Sequence, residues 1–323
     1  MQLHGLHHVT AVTGDAPANV DFYTRVLGLR LVKKSVNQDD VSAYHLFYAD
    51  KLGSPGSDMT FFDWPQTRQN RRGSDSIANT MFRVNGRAAL DYWAARLAAE
   101  GVPVGPIETF RGRDQLRFED HEGQRLTLID DGGAPFEGEI WDRADVPAEH
   151  AIRGFYGVTL SVPVLDTVDM ILTRILNFEE VERLPNPDNP AEELVVYGMD
   201  GGGPGKELHV LVQPDLPRAW LGRGGVHHVA FRLRDADEHR LWNAHLNRVG
   251  MPNSGLVDRF WFKSLYFRIT NGILFELATM GPGFTADEDL ATLGEALSLP
   301  PFLEEHRAQI EAGLTPVSVR PLP

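Results

Sequence analysis

The chain has 323 residues, enough for about two domains of ordinary size, so a single small module is excluded. Its 31 basic and 45 acidic residues give a formal charge of −14, which disfavours contact with nucleic acid or an anionic membrane. Because the chain has no cysteine, disulfides and thiolate ligands are excluded, and a metal would have to be held by His, Asp and Glu.

The N-terminus begins Met1-Gln2-Leu3-His4 and continues directly into a strand-like pattern, without the basic and apolar segments of a signal peptide. No apolar run approaches the roughly 18 residues that a transmembrane helix needs. We therefore expect a soluble, cytoplasmic protein that binds neither nucleic acid nor membrane.

An internal repeat organises the chain, and its clearest marks are the ends of four amphipathic helices. Each helix stops at a residue that favours the left-handed conformation of a helix cap. In chain order these caps are Gly28, Gly101, Asn177 and Gly250, spaced 73, 76 and 73 residues apart. Such even spacing indicates four copies of one structural unit.

The repeated unit is predicted to be a strand, a helix and three further strands. The first strands lie at 8–12, 79–83, 157–161 and 228–232, and the last strands lie at 59–62, 126–129, 208–211 and 274–277. One βαβββ unit leaves an apolar sheet face uncovered, so units must pair. We predict an α+β fold in which four modules form two open-barrel domains.

The module boundaries follow from polar linkers between the repeats. Modules 1 to 4 are predicted at 1–64, 76–131, 153–213 and 224–281, followed by a C-terminal tail at 282–323. In the tail, Leu290, Leu293, Leu297, Ile310 and Leu314 are spaced as in helices packed on the outside of a domain. We expect no catalytic role for this tail.

Two histidine doublets, Leu6-His7-His8-Val9-Thr10 and Val226-His227-His228-Val229-Ala230, occupy the same place in modules 1 and 4. A lone carboxylate, Glu276, interrupts an apolar run in module 4 and would be costly to bury without a cation. Two imidazoles and one carboxylate can occupy one face of a ferrous ion and leave the other face open. The doublets and Glu276 therefore predict a divided metal site.

The repeat defines two equivalent inward positions in each module, at the start of the first strand and in the middle of the last. In chain order the pairs are His8 and Thr60, Asn79 and Thr127, Gly157 and His209, and His228 and Glu276. Pairing in chain order would combine His209, His228 and Glu276. Pairing of module 1 with module 4 would combine His8, His228 and Glu276, and the matching context of the doublets favours it. Six other histidines have no equivalent partner and are interpreted as structural, namely His4, His45, His150, His239, His245 and His306.

The sequence resembles the vicinal oxygen chelate superfamily and, within it, the ring-cleaving chlorohydroquinone and methylhydroquinone 1,2-dioxygenases. Besides the doublets, the resemblance lies in 44–50, 52–56, 266–268, 275–276 and 283–289, nearly end to end. It implies that His8, His228 and Glu276 hold Fe²⁺, with Mn²⁺ as the alternative, and that module 1 pairs with module 4 and module 2 with module 3.

The resemblance also implies a function, in which O₂ opens a hydroquinone-type aromatic ring. His7, His227, Arg259 and Tyr266 would line the substrate pocket. Tyr266, His7 or His227 would handle the phenolic proton, and Arg259 would stabilise an anionic intermediate. Two alternatives stay open: a glyoxalase-type metal-dependent isomerase or lyase, and a metal-free binding protein of the bleomycin-resistance kind. Association into a homo-oligomer also stays open.

Overall fold

A computed structural model describes residues 1–269 and 272–317 of the chain. In these residues sixteen strands form two sheets of eight. The strands are β1 Leu6–Thr13, β2 Arg30–Asn37, β3 Asp40–Ala49, β4 Asp58–Asp63, β5 Ser76–Val84, β6 Val104–Phe110, β7 Arg113–Glu119, β8 Arg125–Asp130, β9 Phe155–Val162, β10 Glu179–Pro185, β11 Glu193–Gly198, β12 Glu207–Val212, β13 Gly225–Leu233, β14 Val257–Asp258, β15 Lys263–Arg268 and β16 Leu274–Thr279. No helix among the described residues has the length and apolar character needed to cross a membrane.

One helix follows the first strand of every module, as predicted. The helices are α1 Ala16–Asp21, α2 Arg87–Ala99, α3 Asp166–Met170 and α4 Ala236–Arg248. In modules 1 and 3 the helix continues as a π-helical turn, at Phe22–Val26 and Ile171–Ile175. The four predicted caps all have positive φ, at 70°, 74°, 60° and 72° in chain order. The repeat is therefore confirmed at its helix ends.

The order of strands shows how the modules pair. One sheet runs β14-β15-β16-β13-β1-β4-β3-β2 and so joins module 4 to module 1. The other runs β10-β11-β12-β9-β5-β8-β7-β6 and joins module 3 to module 2. In both sheets the first strands of two modules meet as an antiparallel central pair. The predicted pairing of module 1 with module 4 and of module 2 with module 3 is confirmed.

Each curved sheet has a packed face and a cavity face, because side chains alternate along a strand. The packed faces and the helices share one large core that includes Trp93 of α2 and Trp242 of α4. The cavity faces carry two smaller clusters, one around Trp261 and Phe262 and one around Met81. The two cavity faces are therefore the sheet surfaces that are available to a ligand.

The tail differs from its prediction. Instead of regular helices up to residue 323, it has short 3₁₀ turns at Phe284–Ala286, Leu290–Thr292 and Pro301–His306 and one α-helix, α5, at Arg307–Gly313. The predicted segment 318–323 lies outside the described residues. The buried Lys33 ammonium donates to the Phe284 carbonyl oxygen and to the carboxylates of Asp287 and Glu288. These bonds fasten the tail to the first barrel.

We predict that Asp63, at the end of β4, makes stability depend on pH. Burial, followed by the charges of Glu122 and Asp15, raises the pKa of Asp63 from 3.8 to about 6. A raised folded-state pKa means that the contribution of the protonated carboxyl to stability is complete below pH 3.8 and is lost as pH rises through about 6. Asp63→Asn should therefore raise the free energy of unfolding at pH 8 by up to about 3 kcal/mol, and change it little at pH 3.8 or below.

Denaturant unfolding across this pH range measures the effect. Asp40→Asn, at an exposed position in the same module, is the control and should show no such dependence. A difference between Asp63→Asn and the unaltered chain that is the same at both ends of the range would contradict the prediction.

Candidate metal centre

Three neighbouring strands bring the predicted ligands into register. His8 of β1 pairs with Ala230 of β13, and Ala230 pairs with Glu276 of β16, so the three residues form one row across the sheet. His228 lies two residues before Ala230 and pairs with Thr10. Paired residues share a face of the sheet. The small methyl group of Ala230 leaves the space into which the other three side chains converge.

The three donor atoms form a nearly equilateral triangle. His8 Nε2 and His228 Nε2 are 3.2 Å apart, and they lie 3.1 Å and 3.0 Å from Glu276 Oε2. Three ligands at right angles with bonds of about 2.1 Å are separated by roughly 3.0 Å. The side chains therefore fit one face of an octahedral ion without rearrangement. This is the one group of at least three potential ligands that converges among residues 1–269 and 272–317.

The electrostatics also fit a bound cation. Glu276 is 0% exposed, and neither of its carboxylate oxygens accepts a hydrogen bond from another described residue. Burial opposes ionisation of Glu276, but the neighbouring His8 and His228 imidazoles outweigh it and hold the pKa of the carboxyl well below its ordinary value. Burial lowers the pKa of His228, which favours the neutral imidazole that a metal requires. A bound cation would supply the positive charge that this buried carboxylate needs and would leave both imidazoles neutral, as metal ligands must be.

The first histidine of each doublet lies behind the second. His7 Nδ1 is 2.9 Å from His8 Nδ1, and His227 Nδ1 is 2.8 Å from His228 Nδ1. His7 Nε2 lies 3.0 Å from the carbonyl oxygen of Thr279, to which it can only donate. A neutral His7 therefore accepts from the Nδ1–H of His8, which leaves His8 Nε2 with the lone pair that a metal needs.

His7 and His227 stay neutral. Burial, followed by the adjacent ligand histidine, lowers the pKa of each to about 3. Neither lies among the residues around the cavity into which His8 and His228 point. The resemblance had implied that both line the substrate pocket, whereas the structure places them at the rear nitrogens of the ligands.

The cavity above the ligands is a narrow slot of about 40 Å³. Its walls are aromatic: Phe47, Phe62, Trp261 and Phe262. The ring centre of Phe262 lies 5.3 Å from that of His8. The tail stabilises this wall, because Trp261 Nε1 donates to Asp287 Oδ1 at 2.8 Å. Walls of this kind favour a flat, largely apolar ligand.

Arg259 and Tyr266, two of the predicted site residues, lie together on the same slot. Arg259 Nε donates to the Tyr266 hydroxyl oxygen at 3.2 Å, while its terminal nitrogens bind both oxygens of Asp39 at 3.1 and 2.7 Å. Burial and the charge of Glu276 raise the pKa of Tyr266, and the Arg259 guanidinium offsets this only in part. Tyr266 thus keeps its proton at neutral pH and can act as a hydrogen-bond donor.

His45, which the sequence interpretation left structural, also faces the slot. Its Nε2 lies 3.0 Å from Thr60 Oγ1, and burial, followed by His8 and His228, lowers its pKa well below the ordinary value. The signal was present in the alternation of β3, where His45 and Phe47 share a face. Thr60 is itself the repeat equivalent of Glu276.

His209, the ligand of the alternative pairing in chain order, lies in the other sheet. Its Nε2 is 2.8 Å from Glu207 Oε2 and donates to that carboxylate. The register nevertheless confirms the repeat. His209 pairs with Thr159, two residues after Gly157, and Glu276 pairs with Ala230, two residues after His228. His209 is thus the positional equivalent of a ligand, but it is separated from the candidate site.

Fold and site together define a protein of two barrels, each built from paired βαβββ modules, with a two-histidine, one-carboxylate centre in one of them. The sequence profile of the Glyoxalase/Bleomycin resistance protein/Dioxygenase superfamily matches residues 5–128. The chain is 46% identical over 317 residues to the candidate ring-cleaving dioxygenase MhqA of Bacillus subtilis, covering 98% of this chain and 100% of that protein. The chain belongs to this superfamily.

Three further comparisons agree. The chlorohydroquinone/hydroquinone 1,2-dioxygenase of Sphingobium indicum is 32% identical over 310 residues, covering 94% of this chain and 93% of the relative. The crystal structure of a candidate dioxygenase from Bacillus subtilis superimposes with a TM-score of 0.90 at 37% identity and covers 99% of both chains. Glyoxalase I from Zea mays, with a TM-score of 0.61 at 15% identity over 85% of this chain and 92% of that one, shows the same fold.

We predict that His7 positions the metal ligand His8 and does not itself act on substrate. His7→Leu removes the rear hydrogen bond and should weaken metal affinity by about 10- to 100-fold. His7→Gln retains an acceptor and should restore part of the affinity. Competition with a chromophoric chelator measures both variants, and His4→Leu, at a half-buried position outside the site, is the control. Unchanged metal affinity together with altered KM would instead assign His7 to the substrate.

Proposed function

We propose that the protein is an Fe(II)-dependent dioxygenase that opens a hydroquinone-type, para-dihydroxylated aromatic ring with O₂ in an extradiol-type reaction. One observation carries the proposal: a three-donor face of His8, His228 and Glu276 opens into a slot with aromatic walls. Two imidazoles and one carboxylate with free positions opposite are the ligand set of non-haem ferrous oxygenases. Ferrous iron held there would supply the chemistry that activates O₂ toward the ring, and Mn²⁺ is the alternative ion.

The slot and the relatives together support the choice of ring. The aromatic walls, which include Phe62 and Phe262, favour contact with a flat aromatic ring over contact with a saturated ligand. A relative of 32% identity is named a chlorohydroquinone/hydroquinone 1,2-dioxygenase, and the alignment covers more than nine-tenths of both chains. We therefore infer a dihydroxybenzene substrate.

Arg259 and Tyr266 would bind the oxygen atoms of the substrate. Because the Tyr266 oxygen accepts from Arg259, its own hydrogen remains available to a substrate or intermediate oxygen. Asp39 holds the guanidinium through two bonds and thereby fixes its orientation. Arg259, oriented in this way, places positive charge where negative charge develops on the opening ring.

His45 would form a hydrogen bond with a phenolic hydroxyl group of the substrate. It is neutral at working pH and faces the slot, and its contact with Thr60 limits rotation of the ring. His7 and His227 are less suited to this task, because their Nδ1 atoms are engaged by the metal ligands. In this proposal the doublets provide and orient the metal ligands, and the residues on the opposite side of the slot form hydrogen bonds with the substrate.

We predict that metal binding and oxygen consumption are lost together. Glu276→Ala should reduce iron affinity by more than about 100-fold, the upper range for loss of an outer-shell partner, and abolish oxygen uptake. The assay is anaerobic iron reconstitution followed by an oxygen electrode, with hydroquinone, methylhydroquinone, chlorinated hydroquinones and catechol.

The outcomes of this assay separate the candidate functions. Iron binding without oxygen uptake on any of these rings would support a glyoxalase-type isomerase. A protein that binds no stoichiometric metal and is unaffected by chelators would be a binding protein. Full oxygen uptake by iron-loaded Glu276→Ala would refute the assigned ligand set.

We predict a separate effect for Tyr266. Tyr266→Phe removes the hydroxyl group, and with it the hydrogen offered to the substrate and the contact with Arg259. It should lower kcat by about 10²- to 10⁴-fold, while iron content stays unchanged. Tyr92→Phe, on the remote helix α2, is the matched control and should retain full activity. A kcat for Tyr266→Phe equal to that of the control would remove Tyr266 from the proposed chemistry.

A further inference from the structure

The second barrel, formed by modules 2 and 3, repeats the frame of the metal centre but not its ligands. The row His8, Ala230, Glu276 corresponds to Asn79, Thr159, His209, as the pairing of β5, β9 and β12 shows. Gly157 stands at the position of His228. A Cβ atom there would lie 2.7 Å from the Glu207 carbonyl oxygen and 2.9 Å from Met81 Cε, so no ligand side chain could replace it without rearrangement.

This second frame encloses a much larger space than the first. Its cavity measures about 570 Å³, against about 40 Å³ in the slot at the metal centre. Cavities that bind small molecules in proteins commonly measure about 300 to 1,000 Å³. The second barrel therefore has room for a whole small molecule. The residues that line the cavity determine the chemical class of that molecule.

Arginine side chains dominate the polar part of the lining. Strand β7 alternates, so that Arg113, Gln115 and Arg117 share the cavity face, and Arg125 of β8 and Arg111 of the β6–β7 turn also contribute. Four arginines therefore border this one cavity, together with the carboxylates of Glu119 and Asp188.

The four arginines differ in how far they are already neutralised. Arg117 pairs with Glu108 and Asp188, and Arg111 pairs with Glu182 and Glu207. In the described part of the chain, neither Arg113 nor Arg125 has a carboxylate oxygen within 4.0 Å of its guanidinium nitrogens. Arg113 instead donates to the Asp130 carbonyl oxygen and lies 5.7 Å from the ring centre of Tyr156. Arg113 and Arg125 retain charge for a ligand.

The backbone at Arg111 supplies an independent indication. Arg111 has φ of 51° and is followed by Gly112 with φ of 69°, the left-handed pair of a two-residue hairpin turn. Asn, Asp or Gly is preferred at the first of these positions, and an arginine there costs of order 1 kcal/mol. The turn directs the Arg111 guanidinium to 2.7 Å from Glu207, whose carboxylate also accepts from His209. This chain of bonds fixes one polar wall of the cavity.

The remaining wall is apolar and includes Met81, Phe110, Ile129, Leu194 and Leu211. A ligand that matches both walls has a carboxylate for the arginines and an apolar body for the rest. We propose that the second barrel is a binding site for a small organic carboxylate with an apolar body, separate from the metal centre. Arg113 is the principal anchor of the carboxylate, and Leu211 contacts the apolar body.

Isothermal titration calorimetry of the iron-loaded protein tests the proposal. The probes are benzoate, an aromatic acid, trans,trans-muconate, an open-chain diacid, and benzamide, the uncharged counterpart of benzoate. We expect saturable binding of at least one acid and at least about tenfold weaker binding of benzamide, because a charge-assisted hydrogen bond is lost. The acid that binds more tightly identifies the aromatic or the open-chain source.

Variants locate the site. Arg113→Gln removes the anchor, and Leu211→Trp fills the cavity without removing charge; each should weaken acid binding by about tenfold or more. Arg87→Gln, an exposed arginine on α2 paired with Asp91 and Asp114, is the matched control and should bind normally. Metal-free Glu276→Ala should also bind the acid, because the first barrel is not involved.

Three results would overturn the proposal. One is the absence of saturable binding for both acids up to on the order of 10 mM. Another is binding that neither Arg113→Gln nor Leu211→Trp weakens. The third is binding that disappears with the metal in Glu276→Ala, which would place the acid in the first barrel.

Discussion

The antiparallel pairing of β1 with β13 is the constraint on which the site depends. It joins the first module of the chain to the last and sets His8 beside Ala230, so that both imidazole ligands meet across one pair of strands. The parallel pairing of β13 with β16 then adds Glu276 to the same row. A slip of one residue would turn the ligands to the opposite face of the sheet. Continuous packing of the helix-side core resists such a slip, so the stability of the core and the geometry of the site share one cause.

The doublets show how two adjacent histidines can contribute to one candidate metal site. Neighbouring residues of a strand normally point to opposite faces, yet each first histidine here reaches the rear nitrogen of the second. The register of β1 with β13 is irregular beside both doublets, between Leu6 and His8 and between Thr10 and Ala11. Such irregularities redirect side chains next to functional sites. The bond from His7 to the Thr279 carbonyl then fixes the ring orientation and the tautomer.

Strand alternation, helix caps and an even repeat predicted the modules and the candidate ligand positions. The pairing of module 1 with module 4, and with it the convergence of His8, His228 and Glu276, was favoured by the matching doublets and selected by the family resemblance. The sequence did not predict that His45 faces the slot, because this position depends on β3 lying next to β4 and on the curvature of the sheet. The resemblance assigned His7 and His227 to the substrate pocket, whereas their place behind His8 and His228 depends on side-chain rotamers. The tail lacks a regular period because it follows the surface of the first barrel, where Lys33 and Trp261 hold it.

The two barrels demonstrate how one frame can acquire two chemistries. In the first, an alanine between the ligand strands leaves room for three donors, and aromatic residues reduce the space above them to a slot. In the second, Thr159 replaces that alanine, Gly157 replaces a ligand, and arginines border a wide cavity. The register of the central strands is the same in both, so the difference lies in the side chains of the concave faces and in the loops that border them. Since those faces lie opposite the shared core, they can change with little cost to folding, which is why a barrel without a metal centre can retain an ordered cavity.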